Sequence, residues 1–247
     1  MEKYSIVITT FEERFDAYLK PLLLQIKKVN PDIEIIVTVN GPYNREFEEI
    51  YRRDVLMFMS SIPKCFPIIF TNFQSLAKMW NRGILNSTCN KVLVLNDDLI
   101  LGNSFFSNLE SVLMDKKETF QINGSFSHFV INKLDLIAVG FFDERLLGLG
   151  EEDGDFYWRY QQHFRKVISS IDIPDIENVH SDIRDMGYTK GIRTASKFNR
   201  DFIKQKKYRD VLIGGYKGMF DHKVTKIIPD AIQYPYEEFY LLKKHEL

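Results

Sequence analysis

The chain has 247 residues, enough for one sizeable core or at most two small domains. Its 33 Lys and Arg balance 34 Asp and Glu, so no overall field draws it to nucleic acid or anionic lipid, and any basic surface has to be local. Cys65 and Cys89 lack the close spacing of a zinc or redox motif and read as buried free thiols suited to a reducing compartment. No stretch reaches the ~20 apolar residues of a membrane span.

Met1, Glu2 and Lys3 lead straight into the apolar run 4–10, too short for a signal-peptide core, so the expectation is a soluble, cytoplasmic protein. Ser5-Ile6-Val7-Ile8-Thr9-Thr10 is a β-branched run that reads as a buried strand opening into a loop. Phe15, Tyr18, Leu19, Leu22, Leu23 and Ile26 follow at helical spacing, with Pro21 splitting or kinking the helix. Asn30-Pro31-Asp32 turns the chain into a second strand over 33–39, which closes at Asn40-Gly41-Pro42. A strand, helix and strand in this order form a right-handed βαβ unit with parallel strands.

A helix over 46–59, a strand over 66–70 made edge-like by Pro67, and a helix over 75–85 come next. Lys91-Val92-Leu93-Val94-Leu95 is the most apolar strand of the chain and runs directly into Asn96-Asp97-Asp98. Beyond it the pattern turns mixed, with a helix over 105–114 and short segments at 119–122 and 126–131. Ligands of open parallel sheets bind beyond the carboxyl ends of the strands, so Thr9, Thr10, Asn40, Asn96, Asp97 and Asp98 are candidates for one site.

Three groups carry chemistry. Asp97 and Asp98 are adjacent carboxylates at the end of a buried strand, where a cation or strong donors must compensate them. Mg²⁺ or Mn²⁺ suits that task, because a hard ion bridges one or two carboxylates to a diphosphate; the alternative is a loop with an Asx-turn. Next, Gly148-Leu149-Gly150-Glu151-Glu152-Asp153-Gly154-Asp155 places four carboxylates after paired glycines, at the start of an aromatic helix that includes Trp158. Acids at a helix start complement its dipole, but capping needs only one or two of them. Lastly, His180 alone reads as a surface or hydrogen-bonded histidine.

In this order the groups resemble the GT-A glycosyltransferases: the bacterial family-two-like enzymes, and around the second group the galactosyltransferase type. The likeness covers roughly positions 4–185. Ser5-Ile6-Val7-Ile8-Thr9-Thr10-Phe11 is similar to the first nucleotide-binding strand, and Asn81-Arg82-Gly83 to the Asn-x-Gly of the helix before the metal strand. Asn96-Asp97-Asp98 stands at the place of the Asp-x-Asp motif, with Asn96 instead of the usual first Asp. Gly140-Phe141-Phe142-Asp143-Glu144 and Gly150-Glu151-Glu152-Asp153 resemble the Gly-Phe-Asp-Glu and Gly-Glu-Asp elements.

The resemblance implies an α/β GT-A fold, a mostly parallel central sheet flanked by helices, with residues 1–102 as the nucleotide half, 103–185 as the acceptor half and 186–247 as a C-terminal extension. It implies transfer from a nucleotide-diphosphate sugar, a UDP-sugar by preference, to a glycan or lipid-linked acceptor of a bacterial surface polysaccharide or lipooligosaccharide. Asp98 and His180 are then the ligands of Mn²⁺ or Mg²⁺; Thr9, Thr10, Asn40, Asn81, Asn96 and Asp97 face the donor; Glu152 and Trp158 face the acceptor. Asp153 is the base, with Glu152 as the alternative, and a base opposite the diphosphate implies inversion. A lipid-linked acceptor would bring peripheral membrane contact, with Lys204, Lys206, Lys207 and Arg209 as its basic candidates. The rivals are a nucleotidyltransferase, which would carry a glycine-rich basic loop where this chain has Thr10-Phe11-Glu12-Glu13-Arg14, and a non-catalytic sugar-binding relative, which would have lost Asp98 or Asp153.

Overall fold

The structure, a computed structural model, describes residues 4–11, 14–42, 47–179, 188–208 and 225–227. Nine strands and seven α-helices occur among them. They are β1 (Tyr4–Phe11), α1 (Lys20–Val29), β2 (Glu34–Asn40), α2 (Glu49–Ser60), β3 (Cys65–Ile69), α3 (Leu76–Asn86), β4 (Lys91–Asn96), β5 (Leu99–Leu101), α4 (Phe105–Asp115), β6 (Phe120–Ile122), β7 (Ser125–Asn132), α5 (Lys133–Val139), α6 (Glu152–Phe164), β8 (Ser169–Ile171), β9 (Ile176–Asn178) and α7 (Tyr188–Phe202). The helix foreseen from Phe15 onward opens as a π-helical turn, Phe15–Leu19, and Pro21 sits at the start of α1, where a missing N–H costs no bond.

Seven strands form one sheet in the order β3-β2-β1-β4-β7-β6-β8, and β5 pairs with β9 in a separate ribbon. The first four run parallel, β7 is antiparallel to both β4 and β6, and β8 is parallel to β6. This is an α/β fold with a mostly parallel central sheet. β3, with Pro67, takes the edge, where a strand can lack a donor.

The β1 run is buried from Tyr4 to Thr10 because both faces of its sheet are covered. Side chains alternate: Ile6, Ile8, Ile35, Val37, Val39, Leu93 and Leu95 join one apolar cluster with Leu22, Leu23 and Ile26 of α1, Val55 and Met59 of α2, and Phe105 and Leu109 of α4. Val7 points the other way, toward α3, whose Gly83 lies so close that an added Cβ would stand 2.4 Å from Val7 Cγ1. Lys91 is buried, and its ammonium donates to the carbonyls of Leu113 and Lys116 at 2.6 Å, closing the C-terminal end of α4.

The chain divides into two units. The first comprises Met1–Phe73, Arg82–Asp135 and Ile168–Ser181 and holds all nine strands; the second comprises Gln74–Asn81, Leu136–Val167 and Asp182–Leu247, so far as these are described. Cys65 is buried and Cys89 half-buried, both as free thiols. Among the described residues no helix is long and apolar enough to cross a membrane.

Candidate active site

In the first unit the register brings the sequence-distant candidates together at the carboxyl edge of the sheet. Thr9 lies opposite Thr38 on one side and Asn96 on the other, and Phe11 lies opposite Asn40. From β4 the chain enters Asp97 and Asp98, which share one cation: Arg14 Nη2 stands 2.7 Å from Asp97 Oδ1 and 2.8 Å from Asp98 Oδ2. The Thr10 hydroxyl donates to Asp97 Oδ2 at 2.6 Å. Both oxygens of Asp97 are thereby engaged.

Arg14 is almost fully buried and stacks over Phe11 and Tyr18, at 5.2 and 4.9 Å from their ring centres. Burial pushes the Asp97 carboxyl up to about 7, against the pull of Arg14 and Thr10. Asp98 is less enclosed, with its side chain 12% exposed. His128, opposite Leu95 on β7, lies within electrostatic reach of Asp98; burial holds its imidazole below the ordinary value, and Asp98 acts in the opposite sense. Val179 N–H donates to the Asp98 carbonyl at 2.8 Å, one residue before His180, which itself lies outside the described residues.

No group of three His, Cys, Asp or Glu side chains is arranged to hold a metal among the described residues. The donor set is still one a hard ion accepts: two adjacent carboxylates just beyond the end of β4, beside one guanidinium, with Asp98 the less enclosed of the two. It fits a divalent ion that takes its other ligands from a diphosphate and water.

In the second unit, α6 begins on a strained turn. Gly150 has φ +113°, open to glycine but not to other residues, and Glu151 follows in the left-handed region at φ +74°. Asn199 of α7 fastens this turn: its side-chain N–H₂ donates to the carbonyls of Leu147 and Gly150 at 2.8 and 2.7 Å, and its oxygen accepts the Leu147 N–H at 2.6 Å. Arg200 grips the Glu151 carboxylate with two N–H groups at 3.1 and 3.0 Å.

Glu152 is buried and accepts the Gly150 N–H at 2.6 Å; burial, then neighbouring Asp153, pushes its carboxyl up to about 8, so it holds its proton at neutral pH. Asp153 is half-exposed at the first turn of α6, with one oxygen on the Gly154 N–H at 2.8 Å. The other acid of that turn, Asp155, belongs to a buried ionic cluster. It pairs with Arg159 at 2.9 Å and Lys207 at 2.8 Å and accepts the Tyr208 hydroxyl at 2.7 Å. These partners overcome burial and hold its carboxyl down to about 2. Arg159 also donates to the carbonyls of Val139, Gly140 and Phe141 at 2.9–3.0 Å, which gives it the structural role an i,i+4 pair implies.

Asn81, Trp158 and Lys207 also belong to the second unit. Asn81 is fully buried and spends its amide on Phe142 and Glu144: it donates to the Phe142 carbonyl at 2.8 Å and Glu144 Oε1 at 3.0 Å, and accepts the Phe142 N–H at 3.1 Å. Trp158 packs edge-on against Tyr208, ring centres 4.7 Å apart. Lys207, proposed for a basic surface, is corrected: its side chain is 1% exposed and lies 2.8 Å from both Asp143 and Asp155, because two buried carboxylates require a counter-charge. Lys204 is exposed; Arg209 and the side chain of Lys206 lie outside the described residues.

A family model described as "Glycosyltransferase like family 2" matches residues 83–194. No match was found among curated proteins. Among solved structures, the chain is similar to S. aureus TarS at TM-score 0.56 and 12% identity, covering 78% of this chain and 39% of that one. It is also similar to residues 1–349 of TarS in complex with UDP, at TM-score 0.55 and 12% identity over 88% of this chain and 74% of that one. A third similarity is to the mannosyltransferase PcManGT from Pyrobaculum calidifontis in complex with GDP-Man and Mn²⁺, at TM-score 0.51 and 12% identity over 70% and 55%. The chain thus spans well under half the length of the longer TarS chain. At such identities the structural likeness carries the fold alone, and the family match covers residues 83–194, less than half of the chain.

Proposed function

We propose that this chain is an inverting, metal-dependent glycosyltransferase that moves a sugar from a nucleotide-diphosphate sugar, a UDP-sugar by preference, to a hydroxyl of a glycan or lipid-linked acceptor. Synthesis of a bacterial surface polysaccharide or lipooligosaccharide is the setting we favour. The observation that carries the reading is the acidic edge of β4, where Thr10 and Arg14 fix Asp97 and leave Asp98 the more open carboxylate.

In this reading Thr9, Thr10, Asn40 and Asn96 line the donor side, with Asp97 as the group that orients Asp98. Asp98 and His180 would hold Mn²⁺ or Mg²⁺, which supplies electrostatic stabilisation of the departing diphosphate. Support comes from the Val179 N–H, which ties the residue before His180 to Asp98. Asp153 accepts the proton of the attacking hydroxyl. Glu152 serves the base poorly, since a carboxyl held near 8 carries its proton at neutral pH; its task is to brace the Gly150 turn.

A donor screen tests this. Incubated with Mn²⁺ and each common nucleotide sugar, the protein is expected to release nucleotide diphosphate slowly from one of them. Assembly of a nucleotide sugar from a nucleoside triphosphate and a sugar phosphate would instead select nucleotidyl transfer, and no binding of any nucleotide sugar would end the proposal.

A further inference from the structure

Arg14 already occupies the role that a metal is expected to fill. One guanidinium nitrogen bridges both carboxylates of the motif at 2.7 and 2.8 Å. Its side chain is 5% exposed, and the faces of Phe11 and Tyr18 hold it in place. A cation so buried beside two acids stabilises them electrostatically and repels any second cation that approaches them.

We infer that Arg14 and a divalent ion are alternative counter-cations for Asp98, so that the free protein binds metal weakly and the ion enters together with the donor's diphosphate. This inference rests on the metal reading of Asp98 given above. The diphosphate brings negative charge that offsets the like-charge repulsion between guanidinium and metal; without it, Arg14 remains the cation paired with Asp98. Arg14 is thus a positioning residue that sets the order of assembly, and it keeps Asp97 and Asp98 side by side in the absence of ligand.

The test is a Mn²⁺ titration of the full chain, without nucleotide, followed by the loss of the free-ion electron paramagnetic resonance signal. Arg14→Gln is expected to bind Mn²⁺ about tenfold or more tighter than wild type, since a unit positive charge within a few ångströms is removed. Arg14→Lys, which keeps the charge, is expected to stay close to wild type. The double variant Arg14→Gln/Asp97→Asn removes a buried charge of each sign, which guards against loss of fold, and is expected to show a smaller gain.

Equal Mn²⁺ affinity in wild type, in Arg14→Gln and in the double variant would overturn the inference. Adding the nucleotide sugar chosen by the donor screen separates the two ideas. Mn²⁺ bound by wild type only with that donor, with no gain in the variants, sinks the Arg14 inference alone. No Mn²⁺ bound by any of the proteins even with the donor sinks the metal reading as well.

Discussion

The backbone N–H of Val179 donates to the carbonyl of Asp98 at 2.8 Å, joining the end of the β5–β9 ribbon to the acidic edge of the sheet. The ribbon pairs Leu99 with Asn178, so the segment leading to His180 is registered against the motif by main-chain bonds. A ligand pair drawn from Asp98 and the residue after Val179 needs such an anchor.

Asp153 and Glu152 are expected to behave differently when neutralised. Asp153→Asn should keep donor affinity and lose turnover by a factor of ~10² or more, because only the proton acceptor is removed. Single-turnover transfer set beside calorimetric donor binding checks this; full turnover in the variant would move the base elsewhere.

Glu152 makes stability fall with pH. Its carboxyl is raised to about 8 in the folded chain, so between the unfolded value of 4.5 and 8 the native state binds the extra proton. Stability from this group is fully present below 4.5 and is lost as pH rises through 8. Urea unfolding at pH 6 and pH 9 should show the drop in wild type and a smaller one in Glu152→Gln, which keeps a neutral side chain able to accept the Gly150 N–H.

Lys207→Met should cost about 3–5 kcal/mol, the penalty of leaving buried carboxylates without their partner. Asp143 and Asp155 both lie 2.8 Å from this ammonium, and their side chains are fully buried. Adding Asp143→Asn to Lys207→Met is expected to recover part of the loss in denaturant midpoint. A midpoint unchanged in Lys207→Met would mean that the cluster does not hold the second unit together.

Gly83→Ala tests the packing of α3 on β1. The added methyl would meet Val7 Cγ1 at 2.4 Å, so the helix has to shift, at about 1–3 kcal/mol. Val7→Ala in the same background is expected to relieve the clash, and a thermal melt reads both.

The parallel half of the fold was legible because its strands are continuous β-branched runs and its helices recur with a clear period. β1, β2 and β4 lie within a residue or two of their expected bounds, as Ser5-Ile6-Val7-Ile8 and Lys91-Val92-Leu93-Val94-Leu95 illustrate. The three-residue strands β5 and β9 escaped, being too short to show alternation and defined by pairing with a partner distant in sequence. Within the site, strand ends pointed to Thr10 and Asp97 but could not reveal Arg14, whose sequence signal is a single basic residue after Glu12 and Glu13 in an acidic loop. Asn199 and Arg200 were invisible for a similar reason: their role comes from the fold of α7 onto the Leu147–Glu151 turn, and nothing in their spacing announces it. Nor does the Asn-x-Gly spacing reveal that the Asn81 amide bonds to Phe142 and Glu144.

The most direct measurement is calorimetric titration of the screened nucleotide sugar into wild type and Asp98→Ala, each with Mn²⁺ and with chelator. The account predicts binding in wild type with Mn²⁺ and its loss both in chelator and in the variant. Equal binding under all four conditions would contradict it.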